Sequence, residues 1–276
     1  LNKAGINPDE ITSYAKLEEA VKKLDAKKAE LGLEAVFAVA GKETWVTGLH
    51  FTNAALSPEF ENVFNAFNAK KIDFKYSEGM KKLFDLQINY AKKPVNSVDY
   101  STQVEKLFSL GKVAFMQQGN WTLGAIKGID EELAANIGFL PMPIVGAKED
   151  SIPVGIPMYW TVNSTKDEKT QAAAKAFLNW MYTSEKGKDA IINKFGFIPP
   201  FKGFDSPDLQ PKDALAKDIM KYASAGKTIQ WVFMGYPSGW GMEKIGVDLQ
   251  KYVDGKLTWD QLIENGKKSW EEARKQ

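Results

Sequence analysis

Short apolar runs alternate with amphipathic stretches along the chain, and this alternation constrains the fold more than any other feature of the sequence. Residues 35–40 and 113–116 are short apolar runs of the kind that form buried strands. Elsewhere, the apolar residues of 17–24, 76–90 and 174–181 recur at the spacing of one helix face. Strands that alternate with helices are typical of α/β proteins. We therefore predict an α/β fold, and we detect no internal repeat.

Polar residues just before the apolar stretches predict where several helices begin. The pairs Thr102/Glu105 and Thr165/Glu168 have the spacing of a capping box, in which two side chains satisfy free backbone N–H groups at a helix start. Thr258 stands in the same position before the last apolar stretch. We expect a helix to follow each of these residues.

Two segments that contain proline interrupt the alternation. Residues 137–144 hold Pro141 and Pro143, so this segment is predicted to be extended and to cross between two lobes. Residues 154–162 are predicted to form a strand, in which Pro157 favours a place at the edge of a sheet.

Charge and composition exclude several kinds of partner and site. The 36 Lys and Arg residues nearly balance the 35 Asp and Glu residues, so no net field draws the chain to nucleic acid or to an anionic membrane. Because the chain has no cysteine and a single histidine, His50, it can form neither a thiolate nor a histidine-rich metal site. No phosphate-binding loop and no G-x-S-x-G nucleophile elbow occurs. We expect no catalytic residue, metal, cofactor or nucleic-acid partner, and we expect His50 to be structural or exposed.

The sequence also carries no membrane or secretion signal. No apolar run reaches the roughly 18 to 20 residues that a transmembrane helix needs. Residues 1–5 lack the basic and apolar regions of a signal peptide. We expect either that the chain is mature or that its true N-terminus is missing.

Tryptophan is unusually frequent, with eight residues among 276. Trp45, Trp121 and Trp240 each lie at the exit of a loop, beside small or polar residues. Sugars present C–H faces that stack on aromatic rings and hydroxyls that need polar partners. We therefore predict that these three residues bind a sugar. Four others lie within predicted strands or helices and are assigned to packing: Trp160, Trp180, Trp259 and Trp270.

Two alternatives stay open at this point. A glycoside-active enzyme with a tryptophan-lined cleft is one, because 35 acidic residues allow many carboxylate pairs whose separation a sequence does not give. An adhesion or scaffold module is the other, and it predicts neither sugar-dependent closure nor thermal stabilisation by sugar.

Several segments, taken in order, resemble one known family. The most specific is FSLGKVAFM at 108–116, followed by GNW at 119–121. The remaining segments are LNKAGI at 1–6, IGFLPMP at 137–143, AKAFLNWM at 174–181 and GFIP at 196–199. The chain resembles the carbohydrate-type extracellular solute-binding proteins of bacterial ABC importers, the broad group around maltose-binding protein.

The resemblance implies a two-lobed, type II periplasmic-binding-protein-like α/β fold, represented mainly by its C-terminal lobe. On this basis residues 1–145 and 210–276 build the C-terminal lobe, and residues 146–209 are a late segment of the N-terminal lobe. The leading segment of the N-terminal lobe is missing from the chain, and sheet edges and apolar surface would be exposed without it. We expect this leading segment to exist as a separate segment or partner chain. Otherwise, we expect the chain to be a cut or rearranged piece.

The resemblance also implies a function and a site. It implies a substrate-binding component that captures a sugar or oligosaccharide between its lobes and delivers it to the permease subunits of an ABC importer. Such a protein is extracytoplasmic, either periplasmic or lipid-anchored at the cell surface, and is not an enzyme. The implied ligand-binding residues are Glu43, Trp45, Asn120, Trp121, Gly155, Tyr159 and Trp240.

Overall fold

The computed structural model describes residues 1–156, 159–199, 201–204, 206–210 and 212–275. Pro157, predicted as an edge residue, lies outside the described residues.

Helices form most of the regular structure in the described part of the chain. The α-helices are α1 (Tyr14–Ala26), α2 (Thr52–Phe60), α3 (Val63–Asn68), α4 (Ser77–Asn89), α5 (Leu123–Ile129), α6 (Glu131–Ala135), α7 (Glu168–Thr183), α8 (Glu185–Asp189), α9 (Ala214–Ser224), α10 (Gly246–Val253) and α11 (Trp259–Ala273). The π-helices are Val46–Phe51, Thr102–Phe108, Ala190–Lys194 and Trp240–Ile245. Short 3-10 turns cover Asn2–Ala4, Pro8–Glu10, Val95–Ser97, Asn120–Thr122, Pro207–Leu209 and Val232–Gly235.

The strands are short and form two parallel pairs. The strand β1 (Phe37–Ala38) pairs with β2 (Phe115–Met116), and the strand β3 (Ile152–Val154) pairs with β4 (Thr228–Gln230). Both pairs join segments that are far apart in the sequence. The α/β class predicted from the sequence is therefore confirmed, although the strands are shorter than the apolar runs that predicted them.

Two predicted helix starts and one predicted strand are wrong. The start of α7 is capped by Asp167, whose side chain accepts from the backbone N–H of Thr170, and not by Thr165. The helix after Thr102 begins earlier than predicted, because Asp99 Oδ1 accepts from the Thr102 N–H at 2.9 Å. Both aspartates offer a carboxylate to free backbone donors, which a nearby threonine hydroxyl does less well. The predicted strand over 154–162 ends with β3, since none of the described residues after Val154 in that range is in a strand.

The cap of α11 is confirmed. Thr258 accepts from the backbone of Gln261, and the Gln261 side chain accepts from the backbone of Thr258, which is a reciprocal capping box. Trp259 and Trp270, which both lie in α11, are 4% and 0% exposed, so the assignment of both to packing is also confirmed.

One large apolar core dominates the structure. Its buried residues come from two stretches of the chain, 4–144 and 232–270. A separate, smaller group consists of Met181, Ile191, Ile192 and Phe204. The stretch between the two halves of the large core therefore contributes no buried residue to it.

Two glycines let the π-helices Val46–Phe51 and Trp240–Ile245 cross at very short distance inside this core. A Cβ atom on Gly48 would overlap the backbone carbonyl of Gly241, and a Cβ on Gly241 would overlap the side chain of Leu49. The two backbones can approach in this way only because glycine has no side chain. This crossing sets the position of the π-helix Val46–Phe51, and with it the positions of Trp45 and His50.

The helix α7 forms where its periodicity predicts, but two of its large apolar side chains are exposed. Met181 is its one buried residue, whereas Phe177 and Trp180 are 55% and 46% exposed. Trp160 is 60% exposed. The assignment of Trp160 and Trp180 to packing is therefore corrected, because the described part of the chain leaves about half of each side chain uncovered. Among the helices of the described residues, none combines the length and the apolar character needed to cross a bilayer.

Candidate functional site

Six aromatic residues from four separate parts of the chain converge on one surface. We call them the aromatic cluster: Trp45, His50, Tyr100, Trp121, Trp231 and Phe233. Trp121 is 41% exposed, and the other five are half-buried. The cluster therefore presents part of its ring surface to solvent, and the rest of that surface packs against the protein.

Three indole rings frame the cluster. The ring centroid of Trp121 lies 6.3 Å from that of Trp45 and 6.3 Å from that of Trp231. Tyr100 extends the set, with its ring 6.3 Å from Trp45. Aromatic pairs at such separations are in favourable contact, and their interplanar angles of 53° and 71° show that the three indoles are inclined to one another and do not form a flat stack.

His50 lies at the centre of the cluster. Its ring is 5.6 Å from Trp45, 5.4 Å from Trp121 and 4.7 Å from Phe233. Burial among these rings lowers the pKa of His50 to about 4, because an imidazolium loses hydration there without gaining a counter-charge. His50 is therefore neutral at physiological pH. The sequence analysis expected a structural or exposed role, and the structure places the half-buried ring in contact with the indoles.

A helix start positions Trp45 and His50. The backbone N–H of Val46 donates to the carbonyl of Glu43 at 2.9 Å, which begins the turn that contains Trp45. The following π-helix, Val46–Phe51, then carries His50 back toward Trp45. The wider turn of a π-helix is common at functional sites.

A buried amide positions Trp231. Asn53, fully buried on α2, donates to the carbonyl of Gln230 at 3.0 Å and accepts from the N–H of Val232 at 2.7 Å. These two bonds hold the backbone on both sides of Trp231. The indole is thereby directed to His50, whose ring lies 5.2 Å from it.

The loop after β2 positions Trp121. A Cβ atom on Gly119 would overlap the Trp121 ring, so the ring lies against bare backbone. The indole Nε1 donates to Gln118 Oε1 at 3.1 Å. On the other side of the loop, Gln117 Nε2 donates to the carbonyl of Val46 at 3.1 Å. That bond ties the loop of Trp121 to the helix that follows Trp45.

Uncharged and charged polar groups border the rings. Glu43 Oε1 accepts from the Tyr100 N–H at 3.3 Å, and Glu43 Oε2 makes no hydrogen bond to the described residues. Within the described part of the chain, neither the Asn120 side chain nor the His50 ring makes a hydrogen bond. Burial also raises the pKa of Tyr100, so that its phenol is neutral. The site thus combines apolar ring faces with polar groups that are available to an uncharged ligand.

The structure brings four of the predicted site residues together directly. Trp45 and Trp121 belong to the aromatic cluster, and Glu43 and Asn120 border it. A fifth, Gly155, lies behind Trp231: a Cβ atom on Gly155 would come within 2.5 Å of the indole ring. Gly155 therefore acts as the close-packed support of a cluster ring.

Trp240 is not part of this site. Its side chain is 1% exposed, and its Nε1 donates to the carbonyl of Gly266 at 3.0 Å. The ring packs edge-on against Tyr236 and Trp270. Because its faces are enclosed and its polar atom is satisfied, Trp240 has no surface to offer a ligand in this structure. The expectation that it binds ligand is corrected, and Trp231 occupies the cluster instead.

Tyr159 lies apart from the rings. It is 70% exposed, and none of the ring contacts found among the described residues joins it to the aromatic cluster.

Sequence reasoning missed Trp231, Phe233 and Tyr100. Trp231 and Phe233, two aromatics separated by one residue just after β4, were the available signal, because they place two rings close together in the sequence. Tyr100 gives no such signal, since a long-range contact alone brings it to Trp45. No group of three or more acidic or histidine side chains is arranged to hold a metal ion within the described residues.

Comparison with known proteins identifies the fold. Solved structures similar to the chain include a chitin oligosaccharide binding protein, at 19% identity over 99% of this chain and 67% of that one, with a TM-score of 0.74. MsmE, a putative binding protein of Bacillus subtilis in an open conformation, matches at 17% identity over 100% and 68% of the two chains, with a TM-score of 0.71. The apo form of RafE from Streptococcus pneumoniae matches at 16% identity over 99% and 67%, with a TM-score of 0.69.

These likenesses establish a two-lobed, type II periplasmic-binding-protein-like fold. The chain spans about two thirds of the length of these structures. A comparison with curated proteins found no match.

The family follows from a match of sequence. Residues 1–188 match the family model described as bacterial extracellular solute-binding protein, which is more than half of the chain. That family consists of binding proteins and not of enzymes, so the glycoside-active alternative is set aside. The chain belongs to the family of bacterial extracellular solute-binding proteins.

Proposed function

We propose that the chain is the sugar-recognising part of a substrate-binding protein of a bacterial ABC importer, and that the aromatic cluster is where the sugar binds. One observation carries this proposal: the indole rings of Trp45, Trp121 and Trp231 meet with centroids 6.3 Å apart on an accessible surface. Apolar ring faces with a few directed polar groups suit the alternating C–H faces and hydroxyls of a sugar.

The polar border supports the same ligand class. The free oxygen of Glu43, the Asn120 amide and the neutral His50 ring can each bond a hydroxyl. An uncharged ligand fits because the rings carry no charge. Several similar structures are described by their oligosaccharides, namely raffinose, stachyose and mannotriose. We propose an oligosaccharide as the ligand.

We propose that the sugar lies between two lobes. Residues 1–145 and 210–276 would form the C-terminal lobe and residues 146–209 a late part of the N-terminal lobe. The large core, which draws on 4–144 and 232–270 only, supports this division. Gly155 and Tyr159 would then line the cleft from the second lobe, with Gly155 supporting Trp231. Closure of the lobes on the sugar would be the state that the importer reads, since a ligand favours the form it contacts best.

We propose that the partners are the permease subunits of the importer. Family membership places such proteins outside the cytoplasm. The protein would therefore be either periplasmic or lipid-anchored at the cell surface.

A second partner is proposed for an exposed apolar face of the chain. This face consists of Ile156, Tyr159, Trp160, Phe177, Trp180, Phe195, Phe197 and Phe201, each at least 38% exposed. Exposed large apolar side chains concentrated in one stretch of the chain, 156–201, mark a surface that another polypeptide covers. We propose that the leading segment of the N-terminal lobe covers it, because similar structures contain a further third of their length beyond the matched part.

Sugar-dependent stabilisation tests the function. The full-length protein is heated alone and with a panel of mono- and oligosaccharides, because a ligand that binds only the folded state raises the melting temperature. We expect one class of oligosaccharide to raise it, and Trp121→Ala to abolish the rise. Trp180→Ala is the matched control, since Trp180 lies on α7 outside the cluster: whatever this substitution does to the melting temperature without sugar, the rise on adding sugar should persist. Stabilisation by no sugar, as an adhesion module predicts, would contradict the proposal.

A further inference from the structure

A chain of hydrogen bonds runs from the core to the indole of Trp121. Gln103 Nε2 donates to the carbonyl of Ala38 at 2.8 Å, and both residues are fully buried. Gln118 Nε2 donates to Gln103 Oε1 at 2.7 Å. Gln118 Oε1 then accepts from the Trp121 Nε1–H at 3.1 Å. We call Gln103 and Gln118 the glutamine relay.

The chemistry of the two ends determines the direction of every bond in the relay. A backbone carbonyl can only accept, and an indole N–H can only donate. An amide that faces the carbonyl with its NH₂ group must present its oxygen on the other side. Two amides in series therefore connect the Ala38 carbonyl to the Trp121 indole in a single arrangement, and a carboxylate or an apolar side chain at either position breaks it.

The elements that carry the relay are rigidly joined. Ala38 lies in β1, which pairs in parallel with β2 just before the loop of Trp121. Gln103 lies in the π-helix Thr102–Phe108. The glutamine relay thus connects β1, through the π-helix Thr102–Phe108, to the ring of Trp121. This connection is additional to the covalent path along the loop.

The indole needs this second attachment because its other side-chain contacts, with the rings of Trp45, His50 and Trp231, are ring contacts and not hydrogen bonds. The ring lies against Gly119, which contributes no side chain that could stop rotation. It is also 41% exposed, the largest exposed fraction in the aromatic cluster. The hydrogen bond to Gln118 is the polar contact that fixes the rotation of the indole ring about its Cβ–Cγ bond.

We propose that Gln118 and Gln103 are positioning residues that fix the orientation of the Trp121 indole and thereby set the affinity for the sugar. This inference rests on the proposed function of the aromatic cluster. Gln118 and Gln103 need not touch the ligand, since they act through the ring.

The test compares three variants in the ¹⁵N-labelled full-length protein. Gln118→Met keeps the length of the side chain and removes both bonds. Gln118→Glu keeps the acceptor for Trp121 and loses the donor to Gln103. Gln171→Met is the matched control, because Gln171 donates to the carbonyl of Lys166 at 2.7 Å on a part of the chain outside the cluster.

Two readouts are measured: the Trp121 indole N–H signal, identified by its loss in Trp121→Phe, and the sugar affinity. We expect Gln118→Met to shift this signal, to accelerate its exchange with solvent, and to lower the affinity roughly fivefold, as the loss of one hydrogen bond predicts. Gln118→Glu should lie between Gln118→Met and the unmodified protein. Gln171→Met should change neither readout. Gln118→Met should stay folded, with a somewhat lower melting temperature because the buried Gln103 Oε1 loses its donor.

An unchanged indole signal and unchanged affinity in Gln118→Met would overturn the relay. Failure of the proposed function looks different. If Trp121→Ala binds the sugar as well as the unmodified protein does, the cluster is not the sugar site, whereas the indole signal of the ligand-free protein still reports whether the relay holds the ring.

Discussion

Two tryptophans show how differently one residue type is used in this protein. Trp231 is half-buried in the aromatic cluster, and Trp240 is 1% exposed in the core with its Nε1 bonded to Gly266 and Ser269. Substitution of each by alanine should therefore affect different properties. We expect Trp231→Ala to weaken sugar binding by about 2 kcal/mol with a small change in stability. We expect Trp240→Ala to lower the free energy of unfolding by about 3 to 5 kcal/mol.

Chemical denaturation and calorimetric titration of the two variants measure these effects. Loss of affinity in a stable, folded Trp240→Ala protein, with normal affinity in Trp231→Ala, would show that the site has been placed at the wrong residue.

His50 gives the protein a defined dependence on pH. Its pKa is about 4 in the folded state, against roughly 6.5 in an unfolded chain. Between these values the unfolded state binds the proton first, so stability is full above the unfolded pKa and falls as the pH decreases toward the folded pKa. We expect a loss of about 2 kcal/mol in the free energy of unfolding between pH 7 and pH 5.

Because His50 is the single histidine of the chain, His50→Gln should remove most of that slope. Urea denaturation at pH 5, 6 and 7 measures it in both proteins. Equal slopes in the two would mean that His50 titrates normally and is not buried among the rings.

At the scale of elements, the crossing of the π-helices Val46–Phe51 and Trp240–Ile245 determines where Trp45 and His50 lie. Gly48→Ala should force the two backbones apart, since the added methyl group overlaps the Gly241 carbonyl. We expect a loss of about 1 to 3 kcal/mol in stability, with weaker sugar binding as the helix shifts.

Gly124→Ala is the matched control for this prediction. Gly124 lies inside α5, and a Cβ atom there would meet nothing within 4 Å. Alanine in an open helix position should stabilise by roughly 0.5 to 1 kcal/mol. Thermal unfolding of the two variants should therefore move in opposite directions, and a stable Gly48→Ala would show that the crossing can relax.

At the scale of the whole molecule, the exposed apolar face should make the 276-residue chain behave differently from a longer protein. We expect the chain alone to bind an apolar dye such as ANS and to self-associate, because large exposed apolar patches promote both. Phe177→Ser with Trp180→Ser should reduce both effects in the chain alone. In the longer protein the same pair should lower stability, because each side chain would then be buried.

Dye binding, light scattering and thermal unfolding of the two lengths measure this difference. A 276-residue chain that stays monomeric and binds no dye would show that the apolar face needs no partner.

The sequence by itself determined the features that depend on residues close to one another. Helical spacing predicts α4, α7 and α11, and the Thr258 capping box is confirmed, because a helix and its cap involve contacts within one or two turns. The order of motifs predicts the family, and the loop positions of Trp45 and Trp121 predict two of the cluster rings.

Only the tertiary structure decided which residues share the site. Trp240 follows a loop and Trp231 follows β4. Packing against Tyr236 and the distant Trp270 buries the first, whereas the bonds from Asn53 direct the second to His50. The glutamine relay likewise joins residues 38, 103 and 118, which no local spacing relates. Such contacts depend on how distant elements pack, and the amino-acid pattern of each element leaves that packing undetermined.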